Sequence, residues 1–278
     1  METQHTPVLL QKVIEELGVI PGGRYIDATY GLGGHSRAIV QQGGKVLGID
    51  WDDESLDAQK IADHDGITLA LGNYADIKEI AEKNAFLPVD GILFDLGLSM
   101  WQIRQSKRGF SYEKEQENEP LDMRINEKIT LTAAHVINSY STDKLYDIFS
   151  KYSEEVNSRA IVHAIDQQRR VKHLRTVGDL KKAIHSVNKS NGTMAKIFQA
   201  IRMEVNEELQ NIENGIMGGY ECLKPGGKMI ILSFHPTEDR YIKNLIRFNK
   251  LSAAKKALRA KQGKSFERSA LLRVITKI

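Results

Sequence analysis

The chain has 278 residues, 41% of them hydrophobic and 27% charged, so one large or two modest domains can bury a core of ordinary size. Its single cysteine, Cys222, excludes a disulfide within the chain and fits a reducing cytoplasm, and no apolar run approaches the ~18 residues of a membrane span. The net charge of +3 hides an asymmetry: from Arg240 onward twelve Lys or Arg face one acid, Glu267, while the rest of the chain carries 27 basic against 35 acidic residues. A basic tail on an acidic body suits a polyanionic partner; a solvated charged helix around residues 253–264 accounts for the same charge equally well. The opening Met1-Glu-Thr-Gln-His lacks a cationic segment followed by an apolar one, so no signal segment is expected.

Short apolar runs alternate with amphipathic stretches through the first hundred residues. Residues 24–27 predict a strand, Gly31-Leu-Gly-Gly34 a turn, and 35–42 a helix. A second strand follows at 45–49 and a helix at 54–62, then a third strand at 67–70 and a helix at 77–83, then a fourth strand at 89–94. That alternation predicts a parallel sheet with helices on both faces. From about residue 104 to 197 the pattern turns helical and polar, with turn chemistry at Arg108-Gly and Asn191-Gly. The earlier period returns with a helix over 198–223, a turn at Lys224-Pro-Gly-Gly227, a strand at 228–234 and an edge strand within 271–278. The organisation read from this is an α/β domain of residues 1–103 and 199–278, interrupted by a helical insertion of residues 104–198.

Chemistry concentrates at the ends of the strands. Asp27-Ala-Thr-Tyr-Gly31-Leu-Gly33-Gly34 closes the first strand and opens the first helix, where glycines permit a tight turn and close approach to a ligand. Asp50 ends the second strand, about 20 residues on, where doubly wound folds place an acid against ribose hydroxyls. Together these features suit a nucleoside-bearing cofactor. The glycines fall as Gly-x-Gly-Gly, which does not meet the dinucleotide fingerprint Gly-x-Gly-x-x-Gly; S-adenosylmethionine, with no pyrophosphate to cradle, tolerates the looser pattern. Asp95 ends the fourth strand and His235 follows the fifth, on the same side of one sheet. Asp95 is also a candidate turn-former before Gly97.

Further polar residues are candidates for a substrate surface: Arg108, Asp122 and Arg124, then Arg202 and Asn206 on one predicted helix, then Asp239 and Arg240. Each taken singly is as readily a surface ion-pair partner. Arg169, Arg170, Lys172 and Arg175 form a basic cluster in the insertion that suits a phosphate backbone. No Cys or His group has metal-ligand spacing, so no metal is expected.

These segments, taken in order, resemble the RsmH (MraW) family of 16S ribosomal RNA cytosine N4-methyltransferases. The resemblance rests on His5-Thr-Pro-Val-Leu-Leu10, Asp27 to Ser36, Asp90-Gly-Ile-Leu-Phe-Asp-Leu-Gly-Leu-Ser99 and Arg108-Gly-Phe-Ser111. It continues in Pro120-Leu-Asp-Met-Arg124, Phe198-Gln-Ala-Ile-Arg202, Val205-Asn-Glu-Glu-Leu209 and Ser233-Phe-His235 with Glu238-Asp-Arg240. It implies a class I, Rossmann-like methyltransferase sheet with an inserted helical domain, S-adenosylmethionine as cofactor, and 16S ribosomal RNA within a small-subunit particle as partner. Carried residue by residue, the family's cofactor contacts fall on Gly33, Gly34, His35, Asp50, Tyr74, Asp95 and Gln102. Tyr74 stands where the family has Phe, and Pro236-Thr237 where it has Ser-Leu.

The reaction expected is methylation of an exocyclic cytosine amine, a weak nucleophile whose lone pair is delocalised into the ring. Amine methyltransferases commonly use an Asn or Asp followed by two prolines, a motif this chain lacks. Asp95 occupies the corresponding strand end, so Asp95 and His235 are the candidate catalytic residues. Two alternatives stand beside this reading. One is a nicotinamide-dependent oxidoreductase on a similar sheet. The other is a non-catalytic RNA-binding protein that kept the fold.

Overall fold

The computed structural model describes residues 7–52, 66–97, 103, 106–252, 257–259 and 269–278. The helix expected at 54–62 lies outside them. The chain divides into two compact units, Met1–Gly97 with Leu209–Ile278, and Leu98–Glu208. The period change in the sequence puts the boundaries at 103/104 and 198/199.

In the first unit, β1 (Arg24–Asp27), β2 (Lys45–Asp50), β3 (Ile67–Leu71) and β4 (Val89–Asp95) form within one residue of expectation. Each is a short apolar run bounded by Gly, Pro or Asp. β1 pairs in parallel with β2 on one side and β4 on the other, with Tyr25 opposite both Val46 and Gly91. β5 (Leu223–Ser233) continues the parallel set beside β4. β7 (Leu271–Thr276) runs antiparallel to β5, and the two-residue β6 (Leu258–Arg259) pairs outside it. The order is therefore β3-β2-β1-β4-β5-β7-β6. β7, expected at the edge, is an inner strand. The turn expected at Lys224–Gly227 is present as an irregularity within β5, where Leu223 faces Val89 but Lys228 faces Gly91. The direction of winding reverses between β1 and β4, and doubly wound sheets bind ligands outside the strand ends at that point.

α1 (Leu10–Leu17), α2 (Gly34–Gln41) and α3 (Ile77–Lys83) belong to the same unit. Val13 and Leu17 of α1 and Ile39 of α2 join Tyr25, Leu93, Ile230, Leu232 and Leu272 in one buried cluster on a face of the sheet. Burial of each such Leu or Ile side chain stabilises by about 1.5–3 kcal/mol.

The second unit is helical: α4 (Ala133–Ser139), α5 (Thr142–Ile148), α6 (Ser158–Val171), α7 (Val177–His185) and α8 (Asn191–Val205). Their starts follow from side-chain caps. Thr132 and Ser141 accept from the third N–H of α4 and α5, and Thr176 forms a reciprocal capping box with Asp179 on α7. Leu145, Phe149, Ile161, Ile165, Leu180 and Ile201 lie in its own buried core.

The chain then returns through α9 (Glu208–Cys222) to β5, and α10 (Pro236–Phe248) follows β5. The single helix expected over 198–223 is two, α8 and α9. Glu207, between them, has φ +49°, a left-handed conformation that breaks an α-helix. With neither Gly nor Pro there, the sequence carries no conventional break signal.

Candidate active site

The loop from Asp27 to Gly33 is tied to the strands beside it. Ala28 N–H donates to Leu93 O at 2.8 Å and Tyr30 N–H to Ile49 O at 2.9 Å. Gly33, with φ +69°, caps α2, and a Cβ there would lie 2.4 Å from the Tyr30 hydroxyl oxygen. A Cβ on Gly34 would lie 2.3 Å from Pro7 Cγ. Only glycine fits either position without displacement.

This loop brings carboxylates to three neighbouring strand ends. Asp27, on β1, is 1% exposed and accepts from the Ser36 hydroxyl at 2.6 Å. Burial pushes its carboxyl above the ordinary range; the nearby His35 and the Ser36 hydroxyl pull in the opposite direction. Asp50, on β2, accepts from Gly31 N–H at 2.7 Å and Asp52 N–H at 2.9 Å. Burial outweighs both bonds and raises its pKa to about 6. Asp95, on β4, is located by its backbone, whose N–H donates to Thr29 Oγ1 at 2.6 Å.

His35 stands among these acids at the N-terminus of α2. It is 5% exposed, with Nε2 3.5 Å from Asp95 Oδ2. Neither ring nitrogen has a hydrogen-bond partner among the described residues, and neither does Asp95 Oδ1. Buried polar atoms are rarely left this way, because desolvation without a partner costs about 1–3 kcal/mol. Hydrogen-bonding capacity therefore goes unmet beside the strand ends of β1 and β4. Tyr74 follows β3 with its ring edge-on to Phe94, centroids 5.8 Å apart. Gln102 lies outside the described residues.

This set fits S-adenosylmethionine. Asp50 can accept from a ribose diol and Tyr74 can offer a ring to adenine. The carboxylates suit a ligand carrying a sulfonium and an ammonium, and Gly33 and Gly34 make room for Tyr30 and Pro7 beside them. Among the described residues no group of His, Cys, Asp or Glu is arranged to hold a metal ion.

At the end of β5, Ser233 is 1% exposed and its Oγ lacks a partner among the described residues. His235 is the N-cap of α10. Its Nδ1 accepts from Thr237 N–H at 3.3 Å, which leaves the ring its proton on Nε2. Asp239 forms a two-point ion pair with Arg273, at 2.8 and 2.9 Å. Arg240 is exposed on the same helix.

In the helical unit the structure draws Arg108, Asp122, Arg124, Arg202 and Asn206 into one intramolecular network. Arg108 donates to Ile125 O at 2.8 Å. Arg124 grips Asp122 through two bonds of 2.8 Å and reaches Ile129 O at 3.0 Å. Burial pushes the Asp122 carboxyl upward, but the Arg124 bonds prevail and hold it below the usual range. Asn206, 1% exposed, donates to Met123 O at 2.8 Å and Arg202 O at 2.9 Å, and accepts from Ile125 N–H at 2.8 Å. The Arg202 guanidinium pairs with Glu208 at 2.6 and 2.9 Å. These bonds join the 108–125 loop to the end of α8. Arg169, expected in a phosphate-binding cluster, also works internally: it donates to Ile137 O at 2.8 Å and Tyr140 O at 2.7 Å, and pairs with Asp166.

The sequence profile of the MraW methylase family matches residues 2–278. The chain belongs to the MraW methylase family. A protein of Dehalococcoides mccartyi described as ribosomal RNA small subunit methyltransferase H is 41% identical over 253 residues, spanning 87% of this chain and 71% of its own. Proteins of the same description from Fervidobacterium nodosum and Clostridium botulinum are 39% and 38% identical, each over 261 residues, covering 86% and 83% of their own lengths. An rRNA methylase structure from Streptococcus thermophilus aligns over 100% of this chain at TM-score 0.46 and 11% identity, too distant to bear on function.

Membership in a methylase family removes the oxidoreductase alternative left open by the glycine turn. It also sharpens what the sequence did not single out. Asp27, Thr29 and Ser36 frame the site from within the motif that marks it, yet only their neighbours stood out as ligands. The available signal was Asp27 itself, a charged residue closing an apolar strand. Ser233 carried a comparable signal, a hydroxyl closing β5.

Proposed function

We propose that this chain methylates the exocyclic N4 amine of a cytidine in small-subunit (16S) ribosomal RNA, with S-adenosylmethionine as methyl donor. The observation that carries the reading is the family match along residues 2–278, joined by relatives described as ribosomal RNA small subunit methyltransferases. The polar strand ends described above support it with a fitting donor and acceptor set. A ribosomal substrate implies action in the cytoplasm, on RNA within a small-subunit particle. Among the described residues no helix is long and apolar enough to cross a membrane.

When bound, the cofactor supplies a methyl group on a sulfonium, which leaves as a neutral thioether. The chain's own residues bind and orient. Asp50 accepts from the ribose hydroxyls, the Tyr74 ring packs on the adenine, and Gly33, Gly34, His35 and Gln102 complete the cofactor contacts. Asp95 serves the acceptor amine as well as the cofactor: its carboxylate oxygen would accept an N–H, orient the nitrogen and take up the proton that the amine loses. Such positioning supplies much of the acceleration available to a weak nucleophile. His235, with Nδ1 committed to Thr237, acts through Nε2–H as a hydrogen-bond donor to the base rather than as a proton acceptor. The insertion of residues 104–198 carries RNA contacts, with Arg108, Asp122, Arg124, Arg202 and Asn206 holding its loop in shape and Asp239 and Arg240 belonging to the substrate side of α10. The target base must leave its stack to reach the site.

The test is mass mapping of ribosomal RNA in cells lacking the protein, paired with transfer of labelled methyl to that RNA in vitro. Loss of one N4-methylcytidine, restored by the purified protein, is the expected result. An unchanged modification map, or absence of transfer, rejects the reading and leaves the non-catalytic RNA-binding alternative.

A further inference from the structure

The corner between α6 and α7 has features that the helical core does not require. From Gln167 to Gly178 the chain carries four Lys or Arg and no Asp or Glu. Leu174, 1% exposed, pins the corner into the core, and Asn138 clasps it by accepting from Leu174 N–H at 3.0 Å and donating to Leu174 O at 2.9 Å. The residues on either side of that anchor turn outward: Arg170, Val171, Lys172, His173 and Arg175 are all exposed. Val171 is 89% exposed, an apolar side chain held in water by a fixed backbone.

An open surface hollow of about 420 Å³ lies at this corner, bounded by Gln167, Gln168, Val171, Lys172, His173 and Asp179 among others. Two side-chain amides offer donors and acceptors, an imidazole offers a flat face, and Val171 offers an apolar edge. The cations around it are weakly held. Arg170 pairs with Asp166 at 2.6 Å while its side chain is 77% exposed, and Lys172 lies 3.8 Å from Asp179 with 75% exposure. Exposed ion pairs of this kind contribute about 0–1 kcal/mol, so a phosphate can replace them.

We propose that the α6–α7 corner binds one unpaired nucleotide of the RNA substrate, its base in the hollow against Val171 and His173 and its flanking phosphates on Arg170, Lys172 and Arg175. The proposal rests on the reading that the substrate is ribosomal RNA. Unpaired bases are recognised by stacking and by hydrogen bonds to their edges, and the corner has groups for both. Fixing the loop through Leu174 reduces the ordering required on binding. The site excludes Arg169, whose guanidinium is committed to the end of α4.

The test uses the full chain and fluorescence anisotropy with a labelled 12-nucleotide single-stranded RNA of mixed sequence and its blunt duplex. Arg170→Glu/Lys172→Glu should flatten the log–log salt dependence for the single strand by about 1.4, from about 0.7 per phosphate contact. Val171→Ser/His173→Ala should weaken single-strand binding about five- to tenfold and leave duplex binding unchanged, because only an unpaired base reaches the hollow. All four positions are exposed, and unfolding curves matching wild type confirm that the variants fold. An unchanged salt slope and affinity in the charge variant overturns the proposal, as does an equal loss for single strand and duplex in the hollow variant. Methyl transfer to ribosomal RNA by the wild type is measured alongside. Binding differences without transfer retain this site and reject the proposed reaction; transfer without binding differences does the reverse.

Discussion

The strand ends of the sheet unit and the 108–125 loop of the helical unit carry motifs of similar polarity, but His35 and Asp95 differ in state from Arg124, Arg202 and Asn206. At the strand ends, both His35 nitrogens and Asp95 Oδ1 are buried without partners among the described residues. In the helical unit, Arg124 grips Asp122 and two backbone carbonyls, Arg202 grips Glu208, and Asn206 makes three bonds to backbone. A motif residue with unmet hydrogen-bonding capacity is prepared for a ligand. One whose bonds close within the chain shapes the surface that meets the ligand.

That contrast can be broken most forcefully at Arg202. Arg202→Met leaves Glu208 partly buried without its cation, and loss of one partner of such a pair costs about 3–5 kcal/mol. Urea unfolding should show a loss of at least about 3 kcal/mol while S-adenosylmethionine affinity holds. Unchanged stability with lost RNA binding would make Arg202 a substrate contact and dissolve the contrast. Asp50→Ala tests the other side. It should weaken cofactor binding by about 1.5–3 kcal/mol, the scale of charge-assisted hydrogen bonds, in a calorimetric titration of a folded variant.

Acidity gives the same test without mutation. In the proposed role at the ribose, Asp50, with its pKa raised to about 6, would accept fully only when ionised. Cofactor affinity should therefore fall about tenfold between pH 7 and pH 5, and Asp50→Ala should remove that dependence. The folding term has the opposite sense. The folded carboxyl keeps its proton where the unfolded one has lost it, so this group's contribution to stability is complete below about pH 3.8 and is lost as pH rises through about 6.

His235→Asn sharpens the comparison on a residue with both duties. Asn is a good N-cap, so stability should hold within about 0.5 kcal/mol, while methyl transfer falls about tenfold through loss of a hydrogen bond to the base. Normal turnover would reduce His235 to its cap. The smallest effect is expected at Thr29, whose hydroxyl accepts Asp95 N–H at 2.6 Å. Thr29→Val should lower kcat by a factor equivalent to about 0.5–1.5 kcal/mol with little change in cofactor affinity, and Thr29→Ser should restore it.

The strands were legible because each is an apolar run ended by a residue that stops it, and the acids at those ends were legible with them. The break between α8 and α9 was not, since Glu207 adopts φ +49° without a glycine to announce it. Nor was β6, two residues whose pairing exists only because β7 lies alongside. The scaffolding duty of Asn206 was hidden for a different reason. Its partner Ile125 is 81 residues away, and a polar motif reads alike whether it faces a ligand or another loop. Asp27 was visible as a motif residue, but its buried bond to Ser36 depends on the turn into α2.

The position of the insertion has a consequence for synthesis. β4 lies between β1 and β5 in the sheet, yet Leu98–Glu208 and α9 leave the ribosome before β5 does. At about 5–20 residues per second, the roughly 130 residues between the two strands take about 6–26 s to translate. Through that interval β4, Val89-Asp-Gly-Ile-Leu-Phe-Asp95, has its edge toward β5 unpaired. An apolar strand edge without its neighbour is a template for pairing with other chains. A nascent chain of this enzyme is therefore most exposed to aggregation while its helical unit is being made, and slowing translation within residues 98–222 should lower the soluble yield more than slowing it after β5.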